Sequence, residues 1–175
     1  MKINKLPTYC INLERREDRN TLMQEQFNNF KIFDNTFIEA IDGKELKGFP
    51  ATLGAANKYA CLKSHIKALE TALNDDVEYA LICEDDVIFY DKIDSFLPTL
   101  SIPPDFDMLY LGYFPAEFSP PTEKVGNMYK GIYKMTGQLG AFAYIVNKRI
   151  IADVIDELYD YDNFTDNKLS VIQKN

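Results

Sequence analysis

Glu84, Asp85 and Asp86 stand side by side in YALICEDDVIFY, residues 79–90, with an apolar run on either side. Adjacent carboxylates repel one another, and a soluble turn needs only Gly, Asn or Ser. Hard divalent ions would explain the grouping. Mg²⁺ and Mn²⁺ take oxygen ligands, commonly one or two carboxylates, with water and a substrate's phosphates completing the shell. A bound cation would relieve the repulsion and bridge the protein to a diphosphate. If the diphosphate departs, the ion also stabilises its developing charge. The competing reading is a solvated acidic turn after a strand.

A second cluster, Arg15, Arg16 and Arg19, follows the apolar segment TYCINL, residues 8–13. Arginine suits bidentate phosphate contacts, and a helix beginning near Asp18 adds backbone N–H donors for an anion. Salt bridges to Glu14, Glu17 and Asp18 in a solvated loop are the plainer alternative. His65 is the sole histidine. Alone it cannot build a histidine-based metal cluster or a full triad, and a half-buried helix residue with one hydrogen bond is its plainer role. Gly137, Gln138 and Gly140 precede an apolar segment. They suit either close backbone approach to a ligand or an ordinary turn.

Apolar patterning predicts the elements that must hold these residues. TYCINL reads as a buried first strand. A helix from about Asp18 places Met23, Phe27 and Phe30 on one face. NTFIEAIDG reads as a second strand closed by an Asp-Gly turn, and the glycine-rich stretch 43–56 as a loop. Asn57 is expected to cap a helix whose stripe is Leu62, Ile66, Leu69 and Leu73. YALIC is a third strand, VIFY a short fourth, and DMLYLGY and the end of GQLGAFAYIVN two more. MYKGIYKM reads as a short strand or hairpin. KRIIADVIDELY reads as a helix with Ile151, Val154, Ile155 and Leu158 inward, and the tail as one last short helix. Strands that alternate with helices and are continuously apolar indicate an α/β fold, a mostly parallel central sheet flanked by helices. Ligands of such sheets bind beyond the carboxyl ends of the strands. The triplet and the arginines both follow strands, so they are expected to open on one crevice.

At 175 residues the chain suits a single domain, 1–175, and 12 Phe with 11 Tyr supply a sizeable core. A net charge of −8 argues against nucleic acid as a general partner. Cys10, Cys61 and Cys83 sit in apolar stretches without a CxxC, so buried, reduced thiols and a cytoplasmic location are expected. The start MKINKLPTYCINL has no long apolar core of a signal peptide, and no run reaches the length of a membrane span. Peripheral membrane contact and a homo-oligomer both stay open.

YCINLERREDR, ACLKSHIKALETAL, YALICEDDVIFY, DMLYLGY and GAFAYIVNKRIIADVI, in that order, resemble glycosyltransferase family 25 from about Tyr9 to about Asp166. That family includes bacterial lipooligosaccharide galactosyltransferases and procollagen galactosyltransferases. The resemblance implies a GT-A-like nucleotide-sugar-binding fold and a metal-dependent hexosyltransferase. It implies a UDP-sugar donor, most often UDP-galactose, with Mn²⁺ (or Mg²⁺), and inverting transfer to a hydroxyl of a glycan or glycoprotein. Glu84-Asp85-Asp86 matches the family's Asp-x-Asp-like motif. Asp86 is thereby implied as direct metal ligand and catalytic residue, and Glu84 as the second metal residue, facing the ribose or a metal-bound water. Asp85, on the other side of the chain, is implied to be structural or to take part in cofactor binding. Arg15 and Arg19 are implied near the diphosphate, and Asn12 at the nucleotide. Asp42, with Ala40 before it, would accept from uracil N3–H or a ribose hydroxyl, an Asp-Gly turn being the alternative. Ser64-His65 matches the family's Ser-His pair near the donor. No histidine follows His65, so water, phosphate or Asp166 is left to complete the metal shell. Asp166, in NFTDNKL, matches a late acidic residue and is the candidate general base, with Asp162 and Asp107 as rivals and a helix cap as its plainer role. Family members continue beyond the position of Asn175, so acceptor-binding elements are expected to be missing from this chain. Readings from other classes are a nucleotide-sugar-binding pseudoenzyme or accessory subunit, a metal-dependent phosphotransferase, and a plain interaction module.

Overall fold

Strand β1 (Leu6–Asn12) is buried along almost its whole length because both of its faces are covered. Its side chains alternate between two cores: Tyr9 and Ile11 enter one, Leu6 and Cys10 the other. The computed structural model describes residues 2–48, 54–112, 124, 132, 140–159, 165 and 169. Among them five strands form one sheet in the order β2-β1-β3-β5-β4. β1 pairs in parallel with β2 (Phe33–Glu39) and with β3 (Tyr79–Glu84). β5 (Ala143–Asn147) runs antiparallel to β3, and β4 (Met108–Tyr110) antiparallel to β5.

Helices α2 (Ala55–Asn74) and α4 (Lys148–Leu158) cover one face. Their stripes, Leu62, Ile66 and Leu69 with Ile151, Val154 and Leu158, meet Ile82, Tyr144 and Val146 of the sheet. Helix α1 (Glu17–Asn29) and the short α3 (Ile93–Phe96) cover the other face, where Met23, Phe27 and Ile93 meet Leu81, Cys83 and Ile145. Phe27, Phe33 and Phe89 cluster there, with Phe33 and Phe89 ring centroids 4.5 Å apart. Each such ring contributes about 1.5–3 kcal/mol of burial. Asp94 ties this layer together by accepting from the backbone N–H of Lys31 at 2.9 Å and of Ile32 at 3.0 Å.

The α/β class and the helix stripes are as expected, but three details differ. The sheet is mixed rather than mostly parallel, because β5 reverses direction and only the β2-β1-β3 half is parallel. VIFY forms no strand; residues 87–90 leave the sheet and pack against α1. Helix α2 begins before Asn57, with Gly54 at its N-cap in a left-handed conformation (φ 89°) that glycine adopts at no steric cost. The segment MYKGIYKM and most of the tail lie outside the described residues.

Candidate active site

β1 leads through α1 to β2 on one flank of the sheet, whereas β3 leads to β4 and β5 on the other flank. The carboxyl ends of β1 and β3 therefore bound a topological switch point, the place where open α/β sheets bind ligands. Ile11 stands opposite Glu84 in the register, so the arginines after β1 and the acids after β3 start from adjacent positions.

Across this edge the triplet divides into three environments. Asp85 turns inward and is buried; it accepts from Asn12 Nδ2 at 2.8 Å and from Arg19 Nη1 at 2.7 Å. Asn12 is itself oriented, donating to the Arg16 carbonyl and accepting from Asn20 Nδ2, both at 3.3 Å. Asp86 points outward with its side chain 48% exposed, and Arg19 Nη1 reaches it at 3.1 Å. Glu84 turns toward α2, where one carboxylate oxygen lies 3.2 Å from His65 Nε2 and accepts from the Cys61 thiol at 3.9 Å. The other ring nitrogen of His65 meets the Tyr144 hydroxyl at 3.1 Å, and the Thr165 hydroxyl donates to Cys61 Sγ at 3.6 Å.

Burial alone would lower the His65 pKa. Hydrogen bonds to Cys61 and Glu84 outweigh it, and the imidazole is pushed up to about 9. The same contact with His65 holds the Glu84 carboxyl below its usual range, against the opposing effect of burial. The expected repulsion within the triplet is thus relieved from inside the protein, by Arg19 beside Asp85 and Asp86 and by the imidazolium beside Glu84.

Ser64 and His65 are both buried, so neither presents its side chain to a ligand in solution. Each braces a strand end instead. The Ser64 hydroxyl donates to the Ala60 carbonyl at 2.7 Å and accepts from Ile41 N–H at 2.9 Å, fixing the loop after β2. His65 fixes Glu84 after β3. In that loop the Ala40 N–H donates to the Asn12 carbonyl at 2.8 Å. Asp42 pairs with Arg15, which holds its carboxyl below the usual range, and it accepts from Lys44 N–H at 2.9 Å. Gly43 has no room for a side chain: a Cβ there would lie 2.9 Å from backbone atoms of Asn57. Arg16 pairs with Asp18 at the start of α1, as the plainer reading of that loop expects. Gly140, just before β5, lies at the same sheet edge with φ 130°, a conformation that favours glycine.

One carboxylate of the set suits a hard divalent ion. Asp86 is exposed, oxygen-only and in the turn after β3, and Mg²⁺ or Mn²⁺ needs just one or two such ligands when phosphates supply others. Glu84 is one-third exposed, with one oxygen engaged by α2. The group among the described residues that converges for metal binding is Cys61, His65 and Glu84, with ligand atoms within 4.8 Å of one another. Sulfur and nitrogen donors of that kind suit zinc better than manganese, and here they already hydrogen-bond one another.

Cys61 and Gln26 are among the supporting residues that escaped the sequence reading, as are Asn20, Tyr144 and Thr165. Cys61 lies four residues before His65, so an i, i+4 reading of α2 could have paired them. Gln26 lies one helical repeat after Arg19; its side chain donates to the Val87 carbonyl at 3.0 Å and accepts from Phe89 N–H at 2.8 Å. Asp107 precedes β4, which runs in the same direction as β3, so it lies at the opposite sheet edge. There it pairs with Arg149 at 2.9 Å, away from the acids after β3. Asp166, Asp162, Gly137 and Gln138 lie outside the described residues.

No helix among the described residues is long and apolar enough to cross a membrane. No curated protein matches the chain significantly. The model of a family described as glycosyltransferase family 25 (LPS biosynthesis protein) matches residues 5–168, nearly the whole length. The chain therefore belongs to glycosyltransferase family 25 and is a glycosyltransferase.

Proposed function

We propose that the β1–β3 edge binds a UDP-hexose, UDP-galactose first among them, and that the hexose passes with inversion to a hydroxyl of a glycan or glycoprotein, in a GT-A-like fold that uses Mn²⁺ or Mg²⁺. The observation that carries this reading is the meeting, at one switch point, of an arginine-bearing strand–helix turn with an acidic strand end. The diphosphate would take over Arg15 from Asp42 and part of Arg19 from Asp86. Both are ion pairs with an exposed partner that solvent screens, so the exchange costs little. Asp86 is then open to a cation. The divalent ion, when bound, supplies charge stabilisation to the departing diphosphate. Asn12 and Asp85 keep Arg19 aimed, and the braced carboxylate of Glu84 suits a ribose hydroxyl or a metal-held water. Asp42 and Ala40 are assigned to the nucleoside end, and Asp166 to proton removal from the acceptor hydroxyl. Free cysteines at Cys10, Cys61 and Cys83 fit a reducing compartment such as the cytoplasm.

UDP release from UDP-galactose, measured after chelation and again after Mn²⁺ is restored, tests the proposal. Release that needs the ion and exceeds that from other nucleotide sugars is the expected result. Equal release after chelation, or indifference to every UDP-sugar, would contradict it.

A further inference from the structure

Helix α2 carries a thiol and an imidazole one turn apart, Cys61 and His65, and both meet the end of β3. Glu84 completes the set from the strand. The three donor atoms lie within 4.8 Å of one another, with His65 Nε2 3.2 Å and Cys61 Sγ 3.9 Å from the same Glu84 oxygen. A tetrahedral zinc ion at its usual bond lengths holds nitrogen and oxygen about 3.3 Å apart, and sulfur about 3.6 Å from either. The cluster is already close to that shape. Its surroundings suit the donors to be ligands. The Tyr144 hydroxyl, 3.1 Å from His65 Nδ1, can accept the ring proton there and leave the Nε2 lone pair facing Glu84. The Thr165 hydroxyl donates to Cys61 Sγ at 3.6 Å, a contact that favours a thiolate. Glu84 is one-third exposed and Cys61 is incompletely buried, so an ion can enter without opening the core.

We propose that Cys61, His65 and Glu84 form a site for one zinc ion, with water in the fourth position, separate from the harder cation assigned to Asp86. Sulfur and nitrogen donors favour zinc over Mg²⁺ or Mn²⁺, which prefer oxygen. The exchange balances. The thiol proton of Cys61 and the Nε2 proton of His65 pass to solvent as the dication enters. One thiolate and one carboxylate then offset the ion, where one imidazolium and one carboxylate offset each other before, so the cluster gains no net charge. Zinc there also ties Glu84 to α2 and withdraws it from a ribose hydroxyl or metal-held water. The ion therefore antagonises transfer. That consequence, unlike the site itself, rests on the donor lying at the β1–β3 edge.

Cobalt(II) titrated into the full chain without Mn²⁺ tests the site, because a thiolate ligand gives a cobalt charge-transfer band. Wild type is expected to develop that band and the visible bands of tetrahedral cobalt at one equivalent, and to lose both to one equivalent of zinc. Cys61→Ser should abolish the charge-transfer band. Glu84→Gln, at a partly exposed position, should weaken cobalt binding at least about 100-fold, more than loss of an outer hydrogen-bond partner costs. Asp86→Asn should change neither. No charge-transfer band in wild type, a band that survives Cys61→Ser, or a band lost in Asp86→Asn overturns the site. Zinc at one equivalent is further expected to remove most of the Mn²⁺-supported UDP release of wild type and to spare whatever release Cys61→Ser retains. Equal loss in both proteins overturns the antagonism. Absence of UDP release from wild type with Mn²⁺ alone overturns the donor reading, and the antagonism with it, while the cobalt result still decides the site.

Discussion

Arg19 stands between two carboxylates that have different tasks. Toward Asp85 it satisfies a buried charge, and toward Asp86 it balances an exposed one. Arg19→Ala leaves Asp85 with Asn12 alone and is expected to cost about 1–3 kcal/mol in urea unfolding, the usual penalty for a buried acceptor stripped of a partner. Asp86→Asn should leave stability within about 0.5 kcal/mol, as is usual for an exposed side chain, and should lower turnover about 100- to 1,000-fold if it stabilises the leaving group. A stability loss in Asp86→Asn as large as in Arg19→Ala would refute this division of roles. The triplet itself was legible in the sequence, because three acids between apolar runs have few explanations. Its internal division was not: which carboxylate turns inward depends on Asn12, Arg19 and His65, which are distant in sequence.

Helix α2 acts as a brace with two adjacent prongs, Ser64 on the loop after β2 and His65 on the end of β3. Because His65 is buried among Glu84, Cys61 and Tyr144, its raised pKa links to folding. A group whose folded pKa lies above its unfolded value adds stability that is full below the unfolded value. That stability is lost as pH rises through the folded value. The His65 contribution should therefore be complete below about pH 6.5 and disappear as pH approaches 9. Melting temperatures of wild type and His65→Gln measured across that range should converge at the alkaline end; a constant gap would contradict the linkage. Gly43→Ala tests the neighbouring contact. Its Cβ would press on the Asn57 backbone, and about 1–3 kcal/mol of destabilisation is expected. The helices and inner strands were readable because their apolar periods are strong. The start of α2 was not, since a left-handed glycine N-cap leaves no side-chain signal, whereas Asn57 resembles a cap. His65 was readable only as a helix residue, because nothing local shows that the strand end lies over it.

Taken whole, the molecule combines a parallel half that makes a ligand edge with an antiparallel half that closes the sheet. Alternation of strands and helices predicts parallel pairing, and that logic holds for β1, β2 and β3. It fails at β5 because the connection from β4 contains no crossover helix pattern, so nothing in the local sequence sets its direction. Among the described residues β1, β3 and β5 lie between two helical layers, whereas β2 and β4 are the outer strands, and amide exchange should be slowest in the inner three strands. The central claim, that the β1–β3 edge holds a nucleotide sugar through a cation at Asp86, is tested most directly by calorimetric titration of UDP-galactose into wild type and Asp86→Asn, each with and without Mn²⁺. The account predicts binding by wild type that tightens at least about tenfold with Mn²⁺, and no such tightening in Asp86→Asn. Equal strengthening by Mn²⁺ in both proteins would contradict it.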